Sequence, residues 1–148
     1  MTVTEDRDAI TQLIFRFYAL MDDGRFNALD AVLTEDVVAG TPGGGQAEGR
    51  KSVVDNAARA HTMEERTQHL VQNVLVDVDG DKATVRAGVI AMLGASTPPE
   101  GAMAPEPSMT LSTIMGYDVI RTAEGWRVKR IEGSVIWLTT KPLVPAGQ

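Results

Sequence analysis

Residues 67–85 read Thr67-Gln68-His69-Leu70-Val71-Gln72-Asn73-Val74-Leu75-Val76-Asp77-Val78-Asp79-Gly80-Asp81-Lys82-Ala83-Thr84-Val85, and this stretch decides the fold. Its valines and leucines suit a pleated, half-buried surface, and Asp79-Gly80-Asp81 is the turn chemistry of a hairpin. From Lys82 to Leu93 the chain sets Ala83, Val85, Ala87, Val89 and Ala91 against Thr84, Arg86, Gly88 and Ile90, the period of a strand with one face toward a core. Met109 to Arg121 reads as a third strand, Thr122-Ala123-Glu124-Gly125 as a turn, and Trp126 to Leu138 as a fourth strand. Gly94 to Ser108, between the second and third strands, holds Pro98, Pro99, Pro105 and Pro107 and exceeds what a hairpin needs. Loops of that length are usually functional or disordered.

Upstream the period changes from strand to helix. Ile10, Leu13, Ile14, Phe17, Leu20 and Met21 fall on one face of a helix from Thr4 to Met21. Thr4 is the expected cap, Glu5, Asp6 and Asp8 complement the positive end of the helix dipole, and Asp23-Gly24 ends the element. A short second helix is expected from Phe26 to about Leu33, with Phe26, Leu29, Val32 and Leu33 inward, followed by extended Asp36-Val37-Val38-Ala39. Thr41-Pro42-Gly43-Gly44-Gly45 is a loop by composition, without the Lys-Ser/Thr pair of a phosphate cradle. A third helix is expected from Arg50 to about His61, with Val53, Val54, Ala57 and Ala60 on one side. Helices first and an antiparallel meander afterwards define an α+β architecture.

The 148 residues suit one domain, 1–148, and an apolar share of 43% with 23% charged is ordinary for a globular chain. A formal charge of -6, with the basic residues scattered, argues against a surface that tracks phosphates, so neither nucleic acid nor an anionic membrane is an expected partner. The absence of cysteine excludes disulfides, thiolate metal sites and a cysteine nucleophile. No run approaches the ~20 apolar residues of a spanning helix, and the first residues lack a basic segment followed by an apolar one. The expectation is a cytoplasmic protein.

Three blocks carry a family resemblance. Phe15-Arg16-Phe17-Tyr18 with Asp22, then Leu33-Thr34-Glu35-Asp36-Val37, resembles the opening of the SnoaL-like branch of the nuclear transport factor 2-like superfamily. The run from Gln68 to Ala83 resembles its central hairpin, and Gly116-Tyr117-Asp118-Val119-Ile120-Arg121 with Gly125-Trp126-Arg127-Val128 its closing one. The resemblance implies a cone-shaped barrel in which a curved, mostly antiparallel sheet wraps the long first helix, with two further helices. It also implies a deep pocket for a small hydrophobic organic molecule, in a homodimer. Activity follows less directly, because the superfamily includes polyketide cyclases, scytalone dehydratase, ketosteroid isomerase, epoxide hydrolases and members that only bind.

Tyr18 and Asp22 are one turn apart and share a helix face. A tyrosine hydroxyl can hydrogen-bond a developing oxyanion, and a carboxylate can move a proton when its pKa is tuned. Alternatively, Tyr18 is a core aromatic and Asp22 a helix-end carboxylate. His69 interrupts an apolar strand and needs a partner if buried; Asp22 would make with it an acid/base couple like that of the dehydratase branch, whereas a backbone carbonyl would make it structural. His61, at a polar helix end, reads as solvent-exposed.

Phe17, Met92, Met115, Glu132 and Trp137 complete the expected binding set. Met92, Met103, Met109 and Met115 either line a cavity or fill core, with Met103 suited to a lid. Glu132 and Trp137 have opposite strand parity, so at most one lines a cavity unless a bulge intervenes; Glu132 follows Lys129 and Arg130 and more often is a surface ion-pair member. Trp137 suits a pocket mouth or a dimer contact.

The isomerase base has no counterpart in Val38-Ala39-Gly40-Thr41-Pro42, the strand from Lys82 to Leu93 lacks the second dehydratase histidine, and Arg86 lacks the flanking acids of the epoxide hydrolases. Two histidines eight apart form no metal motif, and no nucleotide fingerprint is present. The expected chemistry is cofactor-free and metal-free proton transfer by a cyclase, dehydratase or isomerase, with Tyr18 as hydrogen-bond donor and His69, oriented by Asp22, as base or acid. The alternatives are a non-catalytic binding or dimerisation module and an epoxide-opening hydrolase or cyclase.

Overall fold

A computed structural model describes residues 1–41, 44–59, 61, 65–95 and 106–140. Helix α1 (Val3–Asp22) leads into a 3-10 helix (Phe26–Ala31), strands β1 (Leu33–Gly40) and β2 (Gln46–Glu48), and helix α2 (Arg50–Arg59). Four long strands follow: β3 (Glu65–Asp79), β4 (Lys82–Ala95), β5 (Met109–Thr122) and β6 (Gly125–Thr140).

The cap of α1 is Thr2, not Thr4. Thr2 has a glutamate three residues on, so its hydroxyl accepts from the Glu5 N–H at 3.1 Å while its own N–H donates to the Glu5 carboxylate at 2.6 Å. Thr4 has Arg7 at that position and can form no such box. The stripe Ile10, Leu13, Ile14, Phe17, Tyr18 and Leu20 is buried, and Gly24, at φ +69°, takes the left-handed turn that ends the helix. Asp6 is also buried, at 4% exposure, because it accepts from the Trp126 indole N–H at 3.0 Å and from both Arg121 guanidinium NH2 groups at 3.0 and 2.9 Å. Arg121 also reaches Asp81 and lies 4.4 Å over the Trp126 ring. The first turn of α1 is thereby tied to both hairpin turns.

The sheet order is β2-β1-β6-β5-β4-β3, with β3 and β2 at its edges. All pairings are antiparallel except β1 with β6, which is parallel. The meander lies where its periodicity predicts; β2 falls between the expected loop at Thr41–Gly45 and the third helix, and β1 starts at Leu33, the expected end of the second helix, rather than at Asp36.

Within the meander, one bulge in β3 and two in β6 shape the sheet. In β3 the register with β4 shifts between Gln72 and Leu75, with Asn73 at φ 51°. Inward positions are therefore Thr67, His69 and Val71 before the bulge and Val74, Val76 and Val78 after it. In β6 the register with β5 shifts between Val128 and Arg130, which re-phases the strand beyond Lys129, and again between Val135 and Trp137, which re-phases it beyond Ile136.

His61 is a correction to its solvent-exposed reading. Its ring packs edge-on against Phe26 at 5.5 Å, and its Nδ1 is buried with no hydrogen-bond partner among the described residues. Met103 and most of the Gly94–Ser108 loop, with Ala60, Pro42 and Gly43, lie outside the described residues.

Candidate active site

The curved sheet and α1 leave between them a cavity of about 680 Å³. Phe17, Tyr18 and Met21 enter it from α1, His69 from β3, Val89 and Ala91 from β4, Leu111, Thr113 and Met115 from β5, and Ile131 from β6. From α2, Asn56, Ala57 and Arg59 complete the wall; Arg59 is its one arginine or lysine among the described residues. Most of the lining is apolar, so the few polar groups fix how an occupant sits.

Among these, His69 is the most firmly held. Its Nδ1 lies 2.6 Å from Asp22 Oδ1, and its backbone N–H donates to Asp22 Oδ2 at 2.8 Å. Thr67 Oγ1 donates to Asp22 Oδ1 at 3.1 Å. A carboxylate can only accept, so this network places the ring proton of neutral His69 on Nδ1 and leaves Nε2 unprotonated. The side chains are largely buried, at 12% exposure for His69 and 20% for Asp22, which leaves the couple within reach of a ligand but shielded from bulk water.

The Tyr18 ring lies 4.7 Å from that of His69, tilted by 37°. Its hydroxyl hydrogen-bonds the hydroxyl of Tyr117 on β5. Burial pushes the pKa of both phenols upward; the bond from Tyr117 acts in the opposite direction on Tyr18, and the Asp22 charge adds to its rise. Both hydroxyls therefore stay protonated at neutral pH. Tyr18 lines the cavity while Tyr117 stands behind it, a position the sequence reading had not singled out. The signal was available, since Tyr117 shares its parity with inward Met115 and Val119. Asn56 and Arg59 were missed for a different reason: α2 reads as a helix packed by its valines and alanines, and nothing in it announces which polar residues meet the sheet.

Of the residues expected from sequence, Phe17, Tyr18, His69 and Met115 line this cavity, and Asp22 holds His69. Met92, Glu132 and Trp137 do not line it, and for each the cause is strand parity. Met92 alternates with inward Ala91 and sits opposite Gln68, over a shallow depression on the outer surface. Glu132 pairs across the strands with Gly116, one residue out of phase with inward Tyr117 and Ile131, and its carboxylate takes the Arg130 guanidinium. A bulge does intervene before Trp137, but it sends this side chain outward as well, opposite Ser112 and at 46% exposure. Arg86 is an exposed strand residue outside the cavity lining. Among the described residues no three His, Asp or Glu side chains cluster closely enough to hold a metal ion.

A pocketed sheet of this topology, with a helix-borne Asp and a strand-borne His, invites comparison with known proteins. The profile of the SnoaL-like domain family matches residues 2–132. The chain belongs to that family. Among solved structures this SnoaL-like domain is similar to the Kfla4162 protein of Kribbella flavida, with a TM-score of 0.80 at 20% identity over 93% of this chain and 95% of that one. It is similar too to a protein of Novosphingobium aromaticivorans provisionally named a scytalone dehydratase, with a TM-score of 0.76 at 22% identity over 95% and 93% of the two chains. A third is the hexachlorocyclohexane dehydrochlorinase LinA-type3 of Novosphingobium barchaimii, with a TM-score of 0.74 at 16% identity over 95% and 93%. At these identities the likeness is one of fold. None of the curated proteins matches the chain. No helix among the described residues of the SnoaL-like domain is long and apolar enough to cross a membrane.

Proposed function

We propose that this domain is a cofactor-independent lyase or isomerase, of the cyclase, dehydratase or isomerase kind, that takes a proton from carbon in a small hydrophobic polyketide- or steroid-like molecule. The observation that carries this reading is the 2.6 Å contact of His69 with Asp22, with the imidazole set in the wall of a mostly apolar cavity. Nε2 of His69 accepts the proton, and Asp22 stabilises the imidazolium that forms. As the C–H bond breaks, its electron pair moves toward a neighbouring carbonyl or expels a leaving group on the next carbon. Tyr18 donates a hydrogen bond to the oxygen on which charge collects. Tyr117, donating to Tyr18, makes it a better donor and turns its O–H toward the cavity.

The convergence of Tyr18 and His69 on one cavity favours this reading over a purely binding module. Arg86, outside the cavity lining, gives an epoxide-opening mechanism no support. The test is exchange of the acidic C–H protons of 2-tetralone, a hydrophobic ketone, in deuterated water, followed by proton NMR. The wild type is expected to accelerate exchange and His69→Ala to abolish the acceleration; no acceleration by the wild type, or full acceleration by the variant, refutes the assignment.

As a partner we propose a second copy of the chain. Leu70, Ile90, Ser112 and Trp137 form one row across the outer face of β3 to β6, with Met92 and Ile114 on the neighbouring rows. Leu70 and Trp137 are 48% and 46% exposed, and a contiguous apolar patch on a sheet face is the usual mark of association.

A further inference from the structure

Met115 is the long side chain on an otherwise small rung of the sheet. Its cross-strand neighbours are Ala87 on β4 and Gly133 on β6, whereas the adjoining rungs carry Val89, Thr113 and Val135 on one side and Val85, Tyr117 and Ile131 on the other. Met115 lines the cavity, so its rung partners face inward with it. A Cβ placed on Gly133 would fall 2.6 Å from Met115 Sδ and 3.2 Å from Cε. The thioether thus lies across the bare backbone of Gly133, in a space that any side chain would occupy.

We infer that Gly133 and Met115 together set the size of ligand the cavity admits: Gly133 is the berth into which the Met115 thioether is withdrawn, leaving the space above it for a rigid, multi-ring apolar molecule. A methionine has three rotatable bonds and a polarisable end, and so can lie flat there at little cost and follow the contour of an occupant. A methyl at position 133 evicts it. The buried Ala87 closes the other side of the rung, so the displaced thioether goes into the cavity and shortens it. The pair is a specificity determinant that takes no part in proton transfer, and it stands whether or not His69 acts as a base.

The test is fluorescence titration of the whole chain with 2-naphthol, which has two fused rings, and 1-hydroxypyrene, which has four. Gly133→Ala is expected to weaken 1-hydroxypyrene by about tenfold or more while leaving 2-naphthol within about twofold, the scale on which pockets discriminate by a methylene. Met115→Ala added to Gly133→Ala is expected to restore the four-ring probe. Equal losses for both probes, no loss for either, or failure of the double variant to recover overturns the inference, as does a wild type that binds neither. Should Gly133→Ala fail to fold, Met115→Ala alone, which leaves the β6 backbone untouched, is expected to tighten 1-hydroxypyrene binding severalfold, and no gain overturns it. His69→Ala in the same titrations separates size selection from chemistry, because it should change neither probe's ranking.

Discussion

At the scale of single residues, Asp22 holds His69 twice, through the ring and through the backbone. Asp22→Asn keeps the size of the side chain but removes the charge that favours the imidazolium. It is expected to slow 2-tetralone exchange by about 10²–10⁴-fold, with a circular dichroism spectrum like that of the wild type. A variant that exchanges at the wild-type rate would make the carboxylate a structural anchor only. The tyrosine pair has a pH signature. Burial raises both folded-state pKa values above the ordinary 10.0, so the unfolded chain releases these protons first. Their contribution to stability is complete below pH 10 and drains away above it, by about 1.4 kcal/mol per tyrosine for each pH unit until the folded form also ionises. Denaturant titrations at pH 8 and 11 should show that loss in the wild type and much less of it in Tyr18→Phe with Tyr117→Phe. The Asp22–His69 couple was legible in the sequence because each residue stood out against an apolar pattern and the family order brought them together. Glu132 and Trp137 were illegible because the facing of each depends on an extra residue in β6, Lys129 ahead of Glu132 and Ile136 ahead of Trp137, and alternation alone cannot announce a bulge.

At the scale of elements, the clamp of Asp6 on Arg121 and Trp126 joins α1 to the β5–β6 turn. The Arg121 hydrogen bonds, followed by that of Trp126, hold the Asp6 carboxyl below its ordinary pKa of 3.8. The stabilisation is therefore present above about that pH and is lost as pH falls through the lower folded value. Asp6→Asn should lower the melting temperature by several degrees at pH 7 and leave a flatter decline toward pH 2; an unchanged acid profile would show that the clamp contributes nothing. In the sequence Asp6 looked like a dipole-compensating acid, since its true partners lie more than a hundred residues away. The bulge in β3 makes a second test. Asn73 sits in the left-handed region, where a β-branched side chain is strained, so Asn73→Val is expected to cost about 1–2 kcal/mol and Asn73→Gly close to nothing. Equal effects of the two, read by chemical denaturation, would mean that the loop geometry relaxes freely. The helices and long strands were legible from periodicity, whereas β2 was not, because three residues carry no period.

At the scale of the molecule, the outer face of the sheet should decide assembly. Trp137→Lys places a charge in the apolar row and is expected to shift the chain from dimer to monomer in sedimentation velocity at micromolar concentration. A wild type that sediments as a monomer would remove the case for that face. The architecture as a whole was readable because strand and helix periods occupy separate halves of the sequence, while the volume of the cavity was not, being fixed by which small residues happen to meet across strands. The ends of the sheet bring one more consequence. β2 exposes only a short edge of three residues, but β3 is a border strand of fifteen. The kink at Asn73 and the charges of Glu65, Arg66, Asp77 and Asp79 keep that border from templating a stranger's backbone. A shortened chain lacking Asn73 would trade a twisted, guarded margin for a straight one, and fibrils in the tube are its expected first symptom.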